Sequence, residues 1–293
     1  MAQQSIATPT TRATPRSTQS YRTRKQMEVW IIRVIIIAIV LVTFFPTFYV
    51  ILTSFKAGES LLAQSILPES YTLENYTKLF AGALPTWIKN SLILGLIGST
   101  ISTIIATLAG YAFSRFRFPG RRYGILILLL IGMLPTTMSI VFLYGVFAQL
   151  GLLDNLVWLG VLFGASGGLA VWLMKNYMDT IPKDLDEAAF VDGATHWQLF
   201  TKVVFPLITP MLVAQFILAF IGIYNEYQTA TIFLSKPDLY PLGVGVRGFL
   251  SGYRTNWTAF CAAAVVGSVP IFAVFLLAQK FLVEGMTKGA VKG

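Results

Sequence analysis

The sequence predicts an all-α integral membrane protein with six transmembrane helices. Of its 293 residues, 55% are hydrophobic and only 12% are charged, an apolar share above that of a soluble domain. Six segments are long and apolar enough to cross a bilayer as helices. The net charge of +9 does not by itself indicate nucleic-acid binding, because Lys and Arg accumulate on the cytoplasmic side of membrane proteins.

The six predicted spans set the domain organisation; they cover residues 30–53, 91–114, 124–147, 156–174, 207–234 and 258–282. The first span is too long for the core of a signal peptide and has no small-residue cleavage site after it, so we expect it to remain in the protein. The resulting division is a disordered cytoplasmic tail (1–28), a first helix (29–54), a periplasmic segment (55–87), a membrane core (88–284) and a cytoplasmic tail (285–293).

Small and helix-breaking residues predict how the spans pack. In the second span, small residues at helical spacing are expected to let another helix approach closely: Ser99, Thr103, Ala106 and Gly110. Pro135 is expected to kink the third span near its middle. The single cysteine, Cys261, lies in an apolar run and is predicted to be a free packing thiol.

The positive charges predict the orientation of the spans. With six spans, both ends of the chain lie on one side, and 16 of the 22 Lys and Arg residues fall on that side. The positive-inside rule therefore predicts a multi-pass protein of the bacterial inner membrane. Both of its termini and residues 175–206 are expected to lie in the cytoplasm.

Residues 175–206 form a long polar interruption between two apolar spans, with signals for two short helices. Pro182 suits the first turn of the first helix, whose amino end carries Asp184, Asp186 and Glu187. Gly193 suits the left-handed position after a helix, and Thr195 to Gln198 match a capping box. We interpret this segment as a docking surface at the membrane.

Trp197, Phe200 and Val204 share one face of the second short helix. We expect Trp197, Phe200 and Pro206 to anchor the segment to the protein's own helices.

Motif searches of the sequence argue against an enzyme. No G-x-x-x-x-G-K-[ST] loop occurs, and a single histidine cannot form a zinc-protease signature, so no cofactor or metal is expected on this chain. Residues 164–168 do match the G-x-S-x-G pattern around Ser166, which leaves an intramembrane serine protease as an alternative. Its only candidate base is His196, thirty residues on in the polar loop. Close helix packing or a local break is the simpler interpretation of the pattern.

Polar residues in the fifth span suggest a transport pathway. Gln215, Gly222, Glu226 and Thr229 are spaced to lie on one stripe of a helix, and an ionisable group in a span is expected to face a cavity or a partner. Asn225 is a further pathway candidate. The alternative is that Glu226 lies at the outer interface or only joins helices. A self-sufficient secondary transporter stays open as a second alternative.

The predicted outer loop, residues 235–257, is basic. It carries Lys236, Arg247 and Arg254 against the single acid Asp238. This loop is hypothesised to face an acidic partner or an anionic solute, against the simpler view that its charges are solubilising.

Residues 187–206 resemble a known signature. Glu187-Ala188-Ala189, Gly193 and Val203-x-Phe205-Pro206 resemble the EAA signature (E-A-A, then G, then I-x-L-P) of permease subunits of binding-protein-dependent ABC importers. Val203 and Phe205 replace Ile and Leu conservatively. The run 275–279 (FLLAQ) and the ending GAVKG resemble the carbohydrate-uptake branch, and within it the second permease subunits of maltose importers.

The resemblance implies a type I ABC importer transmembrane domain with a MetI-like core. It implies four partners: a second permease subunit, an ATPase dimer that binds ATP and Mg²⁺, an extracytoplasmic solute-binding protein and a carbohydrate solute. The permease itself is surrounded by membrane lipid. It also implies that an ATPase-coupling helix is formed by Glu187, Ala188, Ala189, Asp192 and Gly193.

Overall fold

The computed structural model describes residues 16–58, 70–133, 136–250 and 255–290. The chain divides into two compact units, Met1–Leu52 and Thr53–Gly293. In the described ranges no β-strand is found, and an isolated bridge joins Lys56 to Tyr71. The helices are α1 Arg16–Ser54, α2 Glu74–Ala81, α3 Leu84–Arg115, α4 Arg121–Met133, α5 Thr136–Gln149, α6 Leu156–Ala165, α7 Gly168–Asp179, α8 Asp184–Val191, α9 His196–Gln198, α10 Phe205–Tyr224, α11 Gln228–Phe233, α12 Leu242–Arg247 and α13 Trp257–Ala290.

The predicted all-α membrane fold is confirmed. Four described stretches are long and apolar enough to span a membrane unbroken: Lys25–Ser54, Leu84–Arg115, His196–Tyr224 and Trp257–Gln279. Two bent helix pairs bring the number to six if each pair is one span. The pair α4 and α5 bends by 95°, and the pair α6 and α7 bends by 49°.

The bends refine two sequence predictions. Pro135 lies outside the described residues, and the helices before and after it, α4 and α5, meet at 95°. The fourth span breaks at Ser166 and Gly167, between α6 and α7, as the simpler interpretation of the 164–168 pattern expected.

Several helix ends differ from the predicted boundaries. The first helix begins at Arg16, inside the predicted disordered tail, because no Gly or Pro occurs between Arg16 and Phe45 and extending an existing helix costs little. The second span begins at Leu84, where Pro85 occupies the first turn. The last helix continues to Ala290, past the predicted end of the sixth span. Residues 1–15 and 291–293 of the predicted tails lie outside the described part of the chain.

Three buried clusters in the second unit hold its helices together, and α3 contributes to all of them. One lies around Tyr111, Met174, Phe200 and Val204. A second joins α2, α3, α10, α12 and α13 through residues such as Leu84, Phe220 and Leu242. The third joins α3, α5, α6 and α11 through Leu94, Ile140, Leu159 and Phe233. The buried Cys261 is a free thiol, as predicted.

Glycines allow α3 and α6 to approach closely. A Cβ on Gly164 would lie 2.6 Å from Ile101 Cβ, and a Cβ on Gly160 would lie 2.9 Å from Ile97 Cγ2. Of the predicted small-residue stripe, Ser99, Ala106 and Gly110 are buried, and Gly110 faces Met174 of α7. The contact with α6 depends instead on glycines that the stripe did not include.

Replacing Gly164 with Val should therefore lower the midpoint of thermal unfolding in detergent, because the added carbons meet Ile101 in a packed interface. Overpacking of this kind costs about 1–3 kcal/mol. The control is Gly145→Ala in α5, where a Cβ would meet nothing within 4 Å and helix propensity favours Ala. Equal midpoints for the two variants would show that α3 and α6 are not tightly packed.

Candidate functional site

The polar segment 175–206 contains two short helices whose ends are capped as the sequence predicted. The first, α8, has Asp184, Asp186 and Glu187 in its first turn. It ends before Gly193, which has a φ of +81°, and Ala194 N donates to Ala189 O at 2.9 Å. Pro182 differs from its prediction, because it lies before the helix.

The second short helix starts with a complete capping box. Gln198 N donates to Thr195 Oγ1 at 3.3 Å, and Thr195 N donates to Gln198 Oε1 at 2.8 Å. The helix then passes through a π-helical turn, Leu199–Val204, directly into α10. Pro206 occupies the first turn of α10, so no flexible link separates the polar segment from the span that follows.

Phe200 anchors the segment to the protein's own core, as predicted. Its side chain is 5% exposed, and its ring centroid lies 4.8 Å from that of Tyr111. Trp197 was also predicted to be an anchor. It is 66% exposed, its ring centroid lies 5.7 Å from that of Phe200, and its anchoring role stays a prediction. In a regular α-helix Trp197 and Val204 would lie on the same face. The π-helical turn between them holds an extra residue, which rotates Trp197 away from the face of Val204.

A buried ion pair fixes α8 to the end of α3. Arg115 Nε lies 2.7 Å from Asp186 Oδ2, and the two side chains are 5% and 11% exposed. Arg115 also donates to the carbonyl oxygens of Met178 and Ile181 at 3.2 and 3.3 Å. Next to it, Asp179 accepts from Ser114 Oγ and pairs with Lys175, both at 2.6 Å. The last turns of α3 and α7 are thus joined by charged hydrogen bonds, and the first turn of α8 is joined to α3 by the ion pair.

The ion pair was missed by sequence reasoning. Asp186 was assigned to the helix dipole and Arg115 to the cytoplasmic surface charge. Asp186 shares a face of α8 with Ala189, which is partly buried against the core around Phe200, but nothing in the sequence marks that face as the buried one.

The opposite face of α8 is exposed. Glu187 and Ala188 lie at the surface, together with the apolar side chains of Leu185, Phe190 and Val191, of which Val191 is 88% exposed. An acidic group beside exposed apolar side chains on a short, fixed helix is suited to contact another protein.

The predicted pathway stripe of the fifth span does not form, because α10 ends at Tyr224. Glu226 lies in the break that follows, where its two carboxylate oxygens accept from Thr229 N at 2.8 Å and Ala230 N at 3.0 Å. It therefore caps α11. Gln215 and Thr229 are buried, whereas Asn225 is exposed and donates to Ile221 O at 2.9 Å.

The basic outer loop is folded in its described part. Arg247 lies over the ring of Tyr227, with its Cζ 5.0 Å from the centroid, a cation–π contact. Lys236 N donates to Asp154 Oδ1 at 3.3 Å, and its side chain is exposed. Arg254 lies outside the described residues.

Ser166 and His196 have separate partners. Ser166 Oγ donates to Leu162 O at 2.8 Å, at the end of α6. The His196 ring packs against Phe116 and Phe190, with centroids 5.3 and 5.0 Å away. These contacts favour structural roles for both residues over the protease alternative. No cluster of three potential metal ligands is found within the described residues.

Comparison with known proteins decides the family. Residues 102–288 match the model of the family described as the inner membrane component of binding-protein-dependent transport systems. The chain belongs to this family. The predicted resemblance is thereby confirmed.

The permease has curated relatives that match it over most of its length. It is 36% identical over 286 residues to a maltose/maltodextrin transport system permease of Vibrio parahaemolyticus, with 90% of this chain and 96% of that protein covered. It is 35% identical over 256 residues to a galactooligosaccharide transport system permease of Bacillus subtilis, covering 85% and 90%.

Solved structures agree on the fold of the permease. A chain of a bacterial ABC transporter that imports the acidic polysaccharide alginate matches with a TM-score of 0.72 at 25% identity, covering 88% of this chain and 97% of that one. A methionine ABC transporter chain matches with a TM-score of 0.58 at 17% identity, covering 69% and 95%. The predicted type I importer fold is confirmed.

Replacing Asp186 with Asn in the permease should destabilise the segment 175–206, because Arg115 would stay buried without its counter-charge. Breaking a buried pair in this way costs about 3–5 kcal/mol. The expected result is a lower unfolding midpoint and faster amide hydrogen exchange in α8.

The matched control is Asp184→Asn, which changes an exposed acid in the same turn and should shift stability by about 0.5 kcal/mol or less. If both variants exchange at the rate of the unmodified protein, the ion pair does not hold α8.

Proposed function

We propose that this permease forms half of the translocation pathway of an ABC importer for an oligosaccharide. Its curated relatives are named for transport of maltodextrins and galactooligosaccharides, and its structural relative imports a polysaccharide. The observation that carries the proposal is the exposed, rigidly held α8 in a chain with no phosphate-binding loop of its own. Energy must then come from another subunit.

The proposed assembly contains a second permease subunit, an ATPase dimer and an extracytoplasmic solute-binding protein. ATP and Mg²⁺ would bind on the ATPase subunits. The chain is proposed to have both termini and the segment 175–206 in the cytoplasm, which the excess of Lys and Arg on that side supports.

The proposed coupling residues divide into two groups by exposure. Glu187 and Ala188 are exposed, so they are the ones we assign to contact with the ATPase, together with Asp192 next to the turn. Ala189 is partly buried against the permease's own core, where a small side chain lets α8 lie close. Gly193 supplies the left-handed turn that ends α8.

The unbroken connection from the capping box to α10 supports a mechanical role. Displacement of α8 by the ATPase would move a 29-residue helical stretch, His196–Tyr224, rather than bend a loop. Alternation between outward and inward states requires that each state have its own contacts with the motor.

Asn225 is the pathway residue that we retain. It lines a cavity of about 310 Å³ between the end of α10, α12 and α13, with Ser268 and Phe260 among its neighbours. Most of the lining is apolar, and Asn225 and Ser268 are the polar side chains that could bind a sugar hydroxyl there. The capping role of Glu226 removes it as a coupling-ion ligand, which weakens the secondary-transporter alternative.

An acidic oligosaccharide remains a candidate solute. The described basic residues of the outer loop, Lys236 and Arg247, support an acidic oligosaccharide as the solute. The relatives named for maltodextrins support a neutral oligosaccharide. An uptake experiment can distinguish the two solute classes.

Reversing the charge of Glu187 should uncouple transport from ATP hydrolysis. In the purified importer reconstituted with its binding protein, Glu187→Lys is expected to lower solute-stimulated ATP hydrolysis about 30-fold or more, as loss of about 2 kcal/mol at a charged interface predicts. Its thermal unfolding should not change, since Glu187 is exposed.

Glu74→Lys is the matched control, because Glu74 is an exposed acid on α2 that pairs only at the surface with Lys78, 2.8 Å away. Full stimulation in the Glu187 variant, or uptake by a preparation that contains no ATPase, would overturn the proposal.

Neutralising Arg247 should distinguish the two solute classes. If the solute is acidic, Arg247→Gln is expected to lower uptake of an alginate oligosaccharide about tenfold at low salt, as loss of electrostatic steering predicts, and to leave maltodextrin uptake unchanged. Arg247→Lys, which keeps the charge, should retain the uptake. Equal uptake in all three proteins would exclude a role of this charge in solute choice.

A further inference from the structure

A basic cleft lies where α3, α4 and α7 meet, at the same end of the spans as α8. Its volume is about 520 Å³. The side chains that line it combine three cations with three aromatic rings: Arg121, Arg122, Lys175, Phe113, Phe118 and Tyr123. None of the proposed transport functions uses this cleft.

The charge of the cleft favours an anion. Two of its cations have partners within the protein: Arg121 donates to Ser114 O at 3.2 Å, and Lys175 pairs with Asp179. Arg122 is exposed, and none of the described residues that line the cleft is acidic. The first turn of α4 also contains two arginines and no acid, so the positive end of the helix dipole adds to the cationic field.

The aromatic residues mark a membrane–water boundary. The rings of Phe113 and Phe118 pack with their centroids 5.4 Å apart, and Tyr123 is 72% exposed. Aromatic side chains at the ends of spans, next to Arg and Lys, are typical of the headgroup region.

An apolar path leads away from the cleft along α4. Tyr123 is followed at intervals of four and three residues by Ile127 and Leu130, and then by Ile131, all exposed. This spacing places them on one face of the helix. A ligand with a charged head in the cleft and long apolar chains would cover this face, whereas a small soluble anion would leave it bare.

We propose that the cleft binds the phosphodiester headgroup of an anionic phospholipid, with the acyl chains lying along α4. Arg122 and Arg121 would contact the phosphate, and Tyr123 would pack at the glycerol level. The site needs only that α3 and α4 span the membrane, so it stands or falls independently of the transported solute.

The test is a titration of the purified importer with dioleoylphosphatidylglycerol, followed by native mass spectrometry of the lipids retained on this chain. Phosphatidylcholine is the neutral reference lipid. Retention of phosphatidylglycerol is expected to be tighter, and Arg122→Gln should weaken it about fivefold, as loss of about 1 kcal/mol per basic residue predicts.

Arg117→Gln is the matched control, because Arg117 is an exposed arginine in the link between α3 and α4 that does not line the cleft. Equal weakening by Arg117→Gln would show diffuse surface charge and overturn the site, as would equal retention of the two lipids. Displacement of phosphatidylglycerol by millimolar inorganic phosphate or glycerol phosphate would identify a soluble anion as the ligand instead.

Discussion

The buried pair between Arg115 and Asp186 is the contact on which the architecture of the segment 175–206 depends. Desolvating two charges is costly, and the cost is offset only if each keeps its partners. Arg115 meets this condition through Asp186 and the carbonyl oxygens at the ends of α7 and the link to α8. The pair therefore allows very few positions for α8, since a small displacement leaves a buried charge without its partner.

This constraint explains why a helix as short as α8 is ordered. An isolated eight-residue helix is unstable in water, so α8 owes its order to tertiary contacts. The ion pair holds its first turn, Ala189 packs its middle, and the turn at Gly193 fixes its end. The exposed face is then presented on a helix attached at three points, and the capping box passes any displacement directly into α10.

Local signals in the sequence predicted local structure well. The turn at Gly193, the capping box at Thr195 and the apolar spans follow from φ preferences, short-range hydrogen bonds and hydropathy, which neighbouring residues determine. The signature around Glu187 gave the family, although the coupling roles of its residues stay predictions.

What the sequence did not reveal depends on contacts between distant residues or on small changes of helical period. Arg115 and Asp186 are 71 positions apart, and nothing near either one marks it as buried. The predicted stripe from Gln215 to Thr229 assumed one continuous helix. In the structure α10 ends at Tyr224, and Glu226 caps the helix that follows. The fold of the spans and the break at Ser166 and Gly167 were predictable, but the end of α10 at Tyr224 and the polar contacts between distant residues were not.

The π-helical turn at Leu199–Val204 has a geometric consequence for chains of slightly different length. Removing one residue from this turn would restore a regular α-helix from Thr195 into α10. The capping box would then have to rotate by about 100° around the axis of the span relative to α10. Because the Arg115–Asp186 pair holds α8 in place, a single-residue deletion here would strain the pair or the start of α10 while leaving every side chain on α8 unchanged.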